Sequence, residues 1–273
     1  MGHARALALV APLVLLLACF VAYPLVKLTI ESLSAGGIDS YRVVLESSAS
    51  RRALVTTVVV GIAVALVAVV IGGLLAWYAR TARSRLARTA IWVALLVPFF
   101  MGTVTRNYAL VLMFSDNGPL NDALRALGLA PLSLLYTSGG VGLGILYTMI
   151  PPAAFALYGV LLTIDESLIA AARGLGASRF RAMLTVTLPL ALPGLVGAFA
   201  LVFAVSVGFY ITPVLIGGAQ APFMASQIQD YVFASYDLPL AYAASVILLV
   251  LALAVVAAAL LVVGRRRLLR ATA

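Results

Sequence analysis

Residues 54–77, LVTTVVVGIAVALVAVVIGGLLAW, contain no charged side chain. At about 1.5 Å per residue a helix of this length reaches about 36 Å, more than the roughly 30 Å hydrocarbon core of a bilayer. Predominantly apolar runs near 7–29, 90–112, 140–162, 194–216 and 240–264 have comparable reach. Inside lipid a backbone must satisfy its own hydrogen bonds, so runs of this kind are helices. The sequence therefore predicts an all-α membrane protein with six transmembrane helices, forming one membrane domain over 1–273. Composition agrees: 64% of residues are hydrophobic and 10% charged, against roughly 25% charged in soluble domains. The mean hydropathy is +1.16.

The net charge of +9 follows from how the arginines are placed. Segments 1–6, 78–89, 163–193 and 265–273 carry Arg5; Arg80, Arg83, Arg85, Arg88; Arg173, Arg179, Arg181; and Arg265, Arg266, Arg267, Arg270. Their only acids are Asp165 and Glu166. The alternate segments mix Arg42, Arg51, Arg52 and Arg125 with Glu31, Asp39, Glu46, Asp116, Asp122, Asp230 and Asp237. The positive-inside rule then puts both termini and segment 163–193 in the cytoplasm. Basic residues that flank spans call for no nucleic-acid partner. Membrane lipids are the expected surroundings.

Several chemistries are excluded by what is missing. No Asp or Glu lies inside any run, so a proton- or sodium-coupled carrier has no evident relay group. Lys27 is the only lysine and stands in YPLVKLT, so there is no Walker A site. His3 is the only histidine and Cys19 the only cysteine, which leaves no catalytic triad and no metal site. The run continues past Cys19 through Phe20-Val21-Ala22, which reads as a transmembrane helix rather than a lipoprotein signal. Gly139, Gly140, Gly142 and Gly144 follow no strand and read as packing glycines, as do the four-spaced pairs Gly61/Ala65 and Ala68/Gly72. The chain has the inventory of neither an enzyme nor a self-powered pump.

Segment 163–193 is built unlike a simple connector. It contains AAARGLGASRFRAMLTVTLPLALPG, with helical pieces expected around Glu166–Arg173 and Ser178–Thr187. A hinge is expected at Gly174-Leu175-Gly176, where Gly176 allows a positive φ. Ala170, Ala171 and Ala172 leave a surface on which another protein can approach closely. Pro189 and Pro193 are expected to break the second piece and set the start of the fifth span. On physics alone, an interfacial amphipathic helix lying on the bilayer accounts for it equally well.

This stretch resembles the EAA motif of bacterial ABC importer permeases: Glu-Ala-Ala, three residues, Gly, nine residues, Ile-x-Leu-Pro. Ala171, Ala172, Gly176, Val186, Leu188 and Pro189 match, while Ala170 stands where the family has Glu. Glu166 lies one turn earlier on the same face. Further landmarks resemble the spermidine/putrescine-type branch: Tyr23-Pro24; Arg106-Asn107-Tyr108 after Pro98; Asn117-Gly118-Pro119-Leu120-Asn121; Leu135-Tyr136; Pro151-Pro152; Ile164-Asp165; Phe209-Tyr210-Ile211-Thr212-Pro213; and Gly217-Gly218.

The resemblance implies the type I ABC importer permease fold in a bacterial inner membrane, with cytoplasmic coupling helices. Glu166, Ala170, Ala171, Ala172, Arg173, Gly174, Gly176, Ala177, Ser178, Arg179 and Phe180 would contact an ATPase subunit. It also implies a sister permease, two ATPase subunits that bind ATP and Mg, and an external, periplasmic substrate-binding protein. The chain itself would carry no cofactor. Polyamine is the expected cargo. Opine, phosphonate, ferric iron and thiamine are cargoes of related permeases, and an ATP-independent carrier is the rival class.

Arg106, Tyr108, Phe209, Tyr210, Thr212 and Pro213 are the candidates for a substrate path or gate. Counting along an unbroken third span places Arg106 near the outer interface, where it would serve a gate or snorkel to headgroups. Aromatic faces at Tyr108, Phe209 and Tyr210 suit a cationic cargo. Pro213 is expected to bend the fifth span beside them.

Overall fold

The computed structural model describes residues 3–82 and 84–271. Arg83 lies outside the described residues, as do the side chains of His3, Arg5, Arg265, Arg266, Arg267 and Arg270. Every regular element among the described residues is helical. In chain order they begin with α1 (His3–Ser34), α2 (Gly37–Glu46), α3 (Ser48–Thr81), α4 (Arg85–Phe100), α5 (Thr103–Phe114), α6 (Pro119–Ala126) and α7 (Ser138–Leu162). Then come α8 (Glu166–Gly174), α9 (Arg179–Ala182), a π turn (Met183–Thr187), α10 (Leu188–Val207), a second π turn (Pro213–Gly217) and a 3-10 turn (Gly218–Gln220). α11 (Met224–Phe233) and α12 (Leu238–Ala271) complete the chain.

Five helical stretches are long and apolar enough to cross a membrane, and α4 with α5 and α6 makes a sixth if its 105° bend is counted within one span. The chain divides into two compact units, Met1–Arg51 with Gln227–Val250 and Arg52–Ser226 with Leu251–Ala273.

In the first unit Ser32 and Tyr41 share a 2.6 Å hydrogen bond across the turn between α1 and α2. Gly36 permits that turn: a Cβ there would stand 1.9 Å from Ser40 Oγ and 2.8 Å from Pro239. Gln227 donates to Ser50 and to the Tyr231 hydroxyl, both at 2.9 Å, which ties α11 to the start of α3.

In the second unit α7 is the buried axis, with Val141, Ile145, Ala153, Ala154 and Leu157 inside. Thr137 caps its start by accepting from Gly140 N at 3.1 Å. Lipid tails are as apolar as leucine, so close packing must hold such helices together. Small residues allow it. A Cβ on Gly72 of α3 would lie 2.8 Å from the Ala154 nitrogen, one on Gly194 of α10 would lie 2.4 Å from Val160, and Gly61 faces Phe203 and Val207. Trp92 of α4 stacks on Phe155 and meets Tyr158 edge-on. At one end Ala76, Leu157, Leu161, Ile164, Ala191 and Ala198 form a common core cluster.

Three expectations are corrected. The third run, 90–112, is not one helix: α4 ends at Phe100 and α5 starts at Thr103 after the bend. Pro98 withholds a backbone donor near that end and Gly102 sits at the corner, so the chain turns there. The fifth run, 194–216, is displaced. The helical stretch runs Arg179–Val207 and stops at Gly208. Pro189 and Pro193 do not break it. The π turn over Met183–Thr187 widens the backbone before Pro189, where a tight turn would press the ring against the Thr185 carbonyl.

Candidate functional site

The 163–187 loop is defined at each end by backbone capping. Asp165 accepts from Ser167 N at 2.9 Å and starts α8. The backbone bond from Ser167, and then its side-chain bond, hold the Asp165 carboxyl below the usual carboxylate range. α8 ends in a Schellman arrangement, with Ala177 N bonded to Ala172 O at 3.1 Å and Gly176 N to Arg173 O at 3.0 Å. Gly176 takes φ +89, the left-handed value that glycine adopts without cost from a Cβ. Ser178 then caps α9 by accepting from Arg181 N at 3.2 Å. Both expected helical pieces and their hinge are present.

α8 buries none of its residues. Ala170, Ala171 and Arg173 are exposed, Ala172 and Ala177 are half-buried, and Leu175 at the hinge is 91% exposed. Phe180 is exposed as well. A helix with an alanine face, flanked by an uncovered leucine and phenylalanine, is shaped for close contact with something outside the chain.

Beside the packing of Ile164, one polar residue fastens the loop to the membrane helices. Arg80, at the end of α3, has a side chain only 8% exposed. Its guanidinium donates to the carbonyls of Leu161, in the last turn of α7, and of Ile164, two residues past its end. The same group lies 3.9 Å from Glu166 Oε1. Sequence reasoning counted Arg80 only as a flanking charge. No local pattern marks it, because its partners are some eighty positions away. Glu166 and Ala170 line one open groove with Arg80, Arg173 and Arg179.

The path candidates are distributed differently from the sequence reading. Arg106 is buried on α5, just after the bend, and donates to the Pro98 carbonyl at 3.3 Å. It neither snorkels nor follows the straight-helix count, because the bend intervenes. Asn107, also buried, donates to Thr103 O at 2.8 Å. Thr212 is fully buried against α7: a Cβ on Gly144 would lie 2.9 Å from Thr212 Cγ2, 2.8 Å from Ile216 and 3.6 Å from Leu110. Gly144 thus brings α5 and the Thr212–Ile216 stretch onto one point of α7. Phe209 and Tyr210 occupy the break between Gly208 and the second π turn, so the bend comes ahead of Pro213 and not at it. Tyr108 and Tyr210 are exposed. None of the aromatic ring pairs among the described residues includes Tyr108, Phe209 or Tyr210.

Tyr136, Arg106 and Thr212 were marked in the sequence, but two features of their geometry were not. Tyr136 holds a positive φ of 62 and donates its N–H to Ile216 O at 2.7 Å, fastening the second π turn. The buried Arg106 Nε, Ser206 Oγ and Thr212 Oγ1 find no hydrogen-bond partner. Unpaired polar atoms in a buried setting are costly unless a ligand or water meets them.

The sequence pattern of the family described as "Binding-protein-dependent transport system inner membrane component" matches residues 68–269. The chain belongs to this family. The match covers the bent third span, the loop and the chain from there to residue 269. Within the binding-protein-dependent permeases, a relative is the spermidine/putrescine transport system permease protein PotB of Salmonella typhimurium, 30% identical over 183 residues. That alignment covers 66% of this chain and 63% of the relative's length. The molybdenum transport system permease protein ModB of Mycobacterium bovis is 29% identical over 234 residues, 85% of each chain. Among solved structures, a bacterial ABC transporter that imports the acidic polysaccharide alginate superposes with a TM-score of 0.74 over 94% of both chains, at 19% identity. The inward-facing MetNI methionine ABC transporter reaches 0.58 over 83% of this chain and 99% of that one, at 21% identity. These likenesses show the fold, that of a type I ABC importer permease, in a multi-pass inner-membrane protein.

Proposed function

We propose that this chain is a permease subunit of an ATP-driven, binding-protein-dependent importer, and that its cargo is a polyamine of the spermidine/putrescine kind. The observation that carries the reading is α8: a capped helix with no buried residue, offering Ala170 and Ala171 outward beside the exposed Leu175 at its C-cap and Phe180 of α9. That surface is the contact for an ATPase subunit. ATP and Mg sit in the ATPase, and the chain carries no cofactor of its own.

Glu166, 3.9 Å from Arg80, stands in for the glutamate missing at Ala170. Closure of two ATPase copies pulls on α8. Because α8 leads through the hinge into α9 and α10, and Arg80 ties its start to α3 and α7, the pull moves the membrane helices as rigid bodies against those of a sister permease. An external binding protein supplies the cargo. In this arrangement the termini and the 163–187 loop are cytoplasmic, as the arginine distribution supports.

The cargo assignment rests on the likeness to the PotB spermidine/putrescine permeases and on the aromatic residues near the break. Because the molybdenum permease aligns over more of the chain, an oxyanion is the second reading.

The test is reconstitution of the chain with its sister permease, ATPase and binding protein in proteoliposomes. ATP-dependent uptake of labelled spermidine or putrescine is expected, and calorimetry on the binding protein should show the same ligand. Molybdate uptake without polyamine uptake replaces the cargo. Uptake of any solute without ATP or ATPase overturns the class. Phosphatase and fluorescent-protein fusions at residue 273 and near Asn117 test the orientation, and phosphatase activity from the former reverses it.

A further inference from the structure

The groove beside α8 does not stop at the loop. Its polar part, about 360 Å³, is lined by Trp77, Arg80, Glu166, Arg173, Arg179 and Thr187 together with neighbouring residues. A second groove of about 260 Å³ shares Trp77, Met183 and Thr187 with it. This one is almost wholly apolar and runs between α3, α7 and α10 past Val69, Gly73, Leu157 and Leu195. From Val69 to Trp77 the wall extends about 12 Å along α3, close to the hydrocarbon depth of one leaflet, roughly 15 Å.

Charge marks the two ends as different. Arg80 is committed to two carbonyls and to Glu166. Arg173 and Arg179 pair with no acidic side chain among the described residues. The polar part therefore sets three guanidinium groups, Arg80, Arg173 and Arg179, against the single carboxylate of Glu166. At the junction Thr187 is 3% exposed and its hydroxyl has no hydrogen-bond partner. The Trp77 indole lies there too, and amphipathic rings favour the headgroup level of a membrane.

We propose that the joined grooves are a site for one anionic phospholipid, with its phosphate at Arg173 and Arg179 and an acyl chain laid along the apolar wall. The guanidinium plane matches phosphate oxygens in a bidentate way that an ammonium does not. Basic pockets between membrane helices bind anionic headgroups on this principle. A free anion would use the polar part and leave the apolar one unfilled, whereas a phospholipid fills both. The bound lipid packs between the loop and α3, α7 and α10, and so makes loop position sensitive to the charge of the surrounding membrane. The site requires only that the chain be embedded in a membrane, and it stands apart from the cargo assignment.

Native mass spectrometry of the full-length chain in detergent tests it, with added phosphatidylglycerol, phosphatidylcholine or inorganic phosphate. Wild-type chain is expected to retain one phosphatidylglycerol about tenfold or more over phosphatidylcholine. The double substitution Arg173→Gln with Arg179→Gln should bring the two lipids to parity. Gly73→Leu, whose side chain enters the apolar groove, should lower retention of phosphatidylglycerol while the arginines remain. Equal retention of both lipids by wild type overturns the proposal, and so does an unchanged preference in the double variant. Displacement of lipid by millimolar inorganic phosphate makes it a free-anion site. Loss of the preference when the chain is assembled with its partner subunits gives the groove to a partner.

Discussion

The Arg80 guanidinium donates to the Ile164 carbonyl across 2.7 Å, fastening the last turn of α3 to the start of the loop. The loop is therefore fastened to the membrane helices by a buried cation in addition to the packing of Ile164. Hydrogen bonds from a charged donor contribute about 1.5–3 kcal/mol each, and an orphaned buried carbonyl adds a further penalty. Arg80→Gln should lower the melting temperature of the purified chain and loosen the coupling of ATP hydrolysis to uptake in the reconstituted complex. An unchanged hydrolysis-to-uptake ratio in Arg80→Gln would remove this residue from the transmission route.

Gly176 tests the hinge. Nothing lies within 4 Å of a Cβ placed there, so the whole intrachain cost of Gly176→Ala comes from φ +89. That cost is about 1–2 kcal/mol for an L residue in the left-handed region. Circular dichroism should show intact spans while ATPase retention on affinity purification falls, and Gly176→Asp should do more. Ala171→Leu acts on the outer face alone and should weaken retention by steric exclusion. Full ATPase binding by both Gly176→Asp and Ala171→Leu would mean the loop is not the contact.

Gly144 is the point where α5 and the Thr212–Ile216 stretch converge on α7. Gly144→Val puts atoms inside 2.9 Å of Thr212 Cγ2 and Ile216 Cδ1. Overpacking of this kind costs about 1–3 kcal/mol, and the short π turn is the element most able to move. Uptake should fall sharply with ATPase assembly preserved. Wild-type uptake in Gly144→Val would show that this contact does not gate the path.

The rings at Tyr108, Phe209 and Tyr210 separate two surroundings. If they face a cationic cargo, each contributes about 0.5–2 kcal/mol of cation–π attraction, and Tyr210→Ala loses transport while assembly survives. Unaltered uptake kinetics for alanine at all three positions assigns them to the lipid-facing surface.

Asp165 sets an acid limit on α8. Its folded pKa is depressed, so the cap contributes fully above the unfolded carboxylate value. It is lost as pH falls through the lower, folded one. Protection of the Ser167 amide in hydrogen exchange should persist through the ordinary aspartate range and decline only below it. Asp165→Asn keeps an acceptor but removes the titration, so its protection should be flat over the same range. A parallel decline in Asp165→Asn would trace the effect to another group.

Uncharged runs longer than the bilayer leave helices as the sole means of satisfying the backbone, so residues 54–77 determined their own state. Segment 163–187 was legible for a similar reason: Asp165, Gly176 and Ser178 act on amides and carbonyls within a few positions, and capping is local chemistry. The bend at Met101–Gly102 was not legible, because an apolar run interrupted by one proline and one glycine reads the same whether it continues straight or turns by 105°. Packing against α7 decides between them. The displaced end of α10 has the same origin, since a π turn before Pro189 moves the helix boundary without altering the hydrophobic pattern. Arg80 depended wholly on tertiary structure: its acceptors are carbonyls at the far end of another helix, and only the approach of α3 to α7, allowed where Gly72 meets Ala153 and Ala154, brings them within reach.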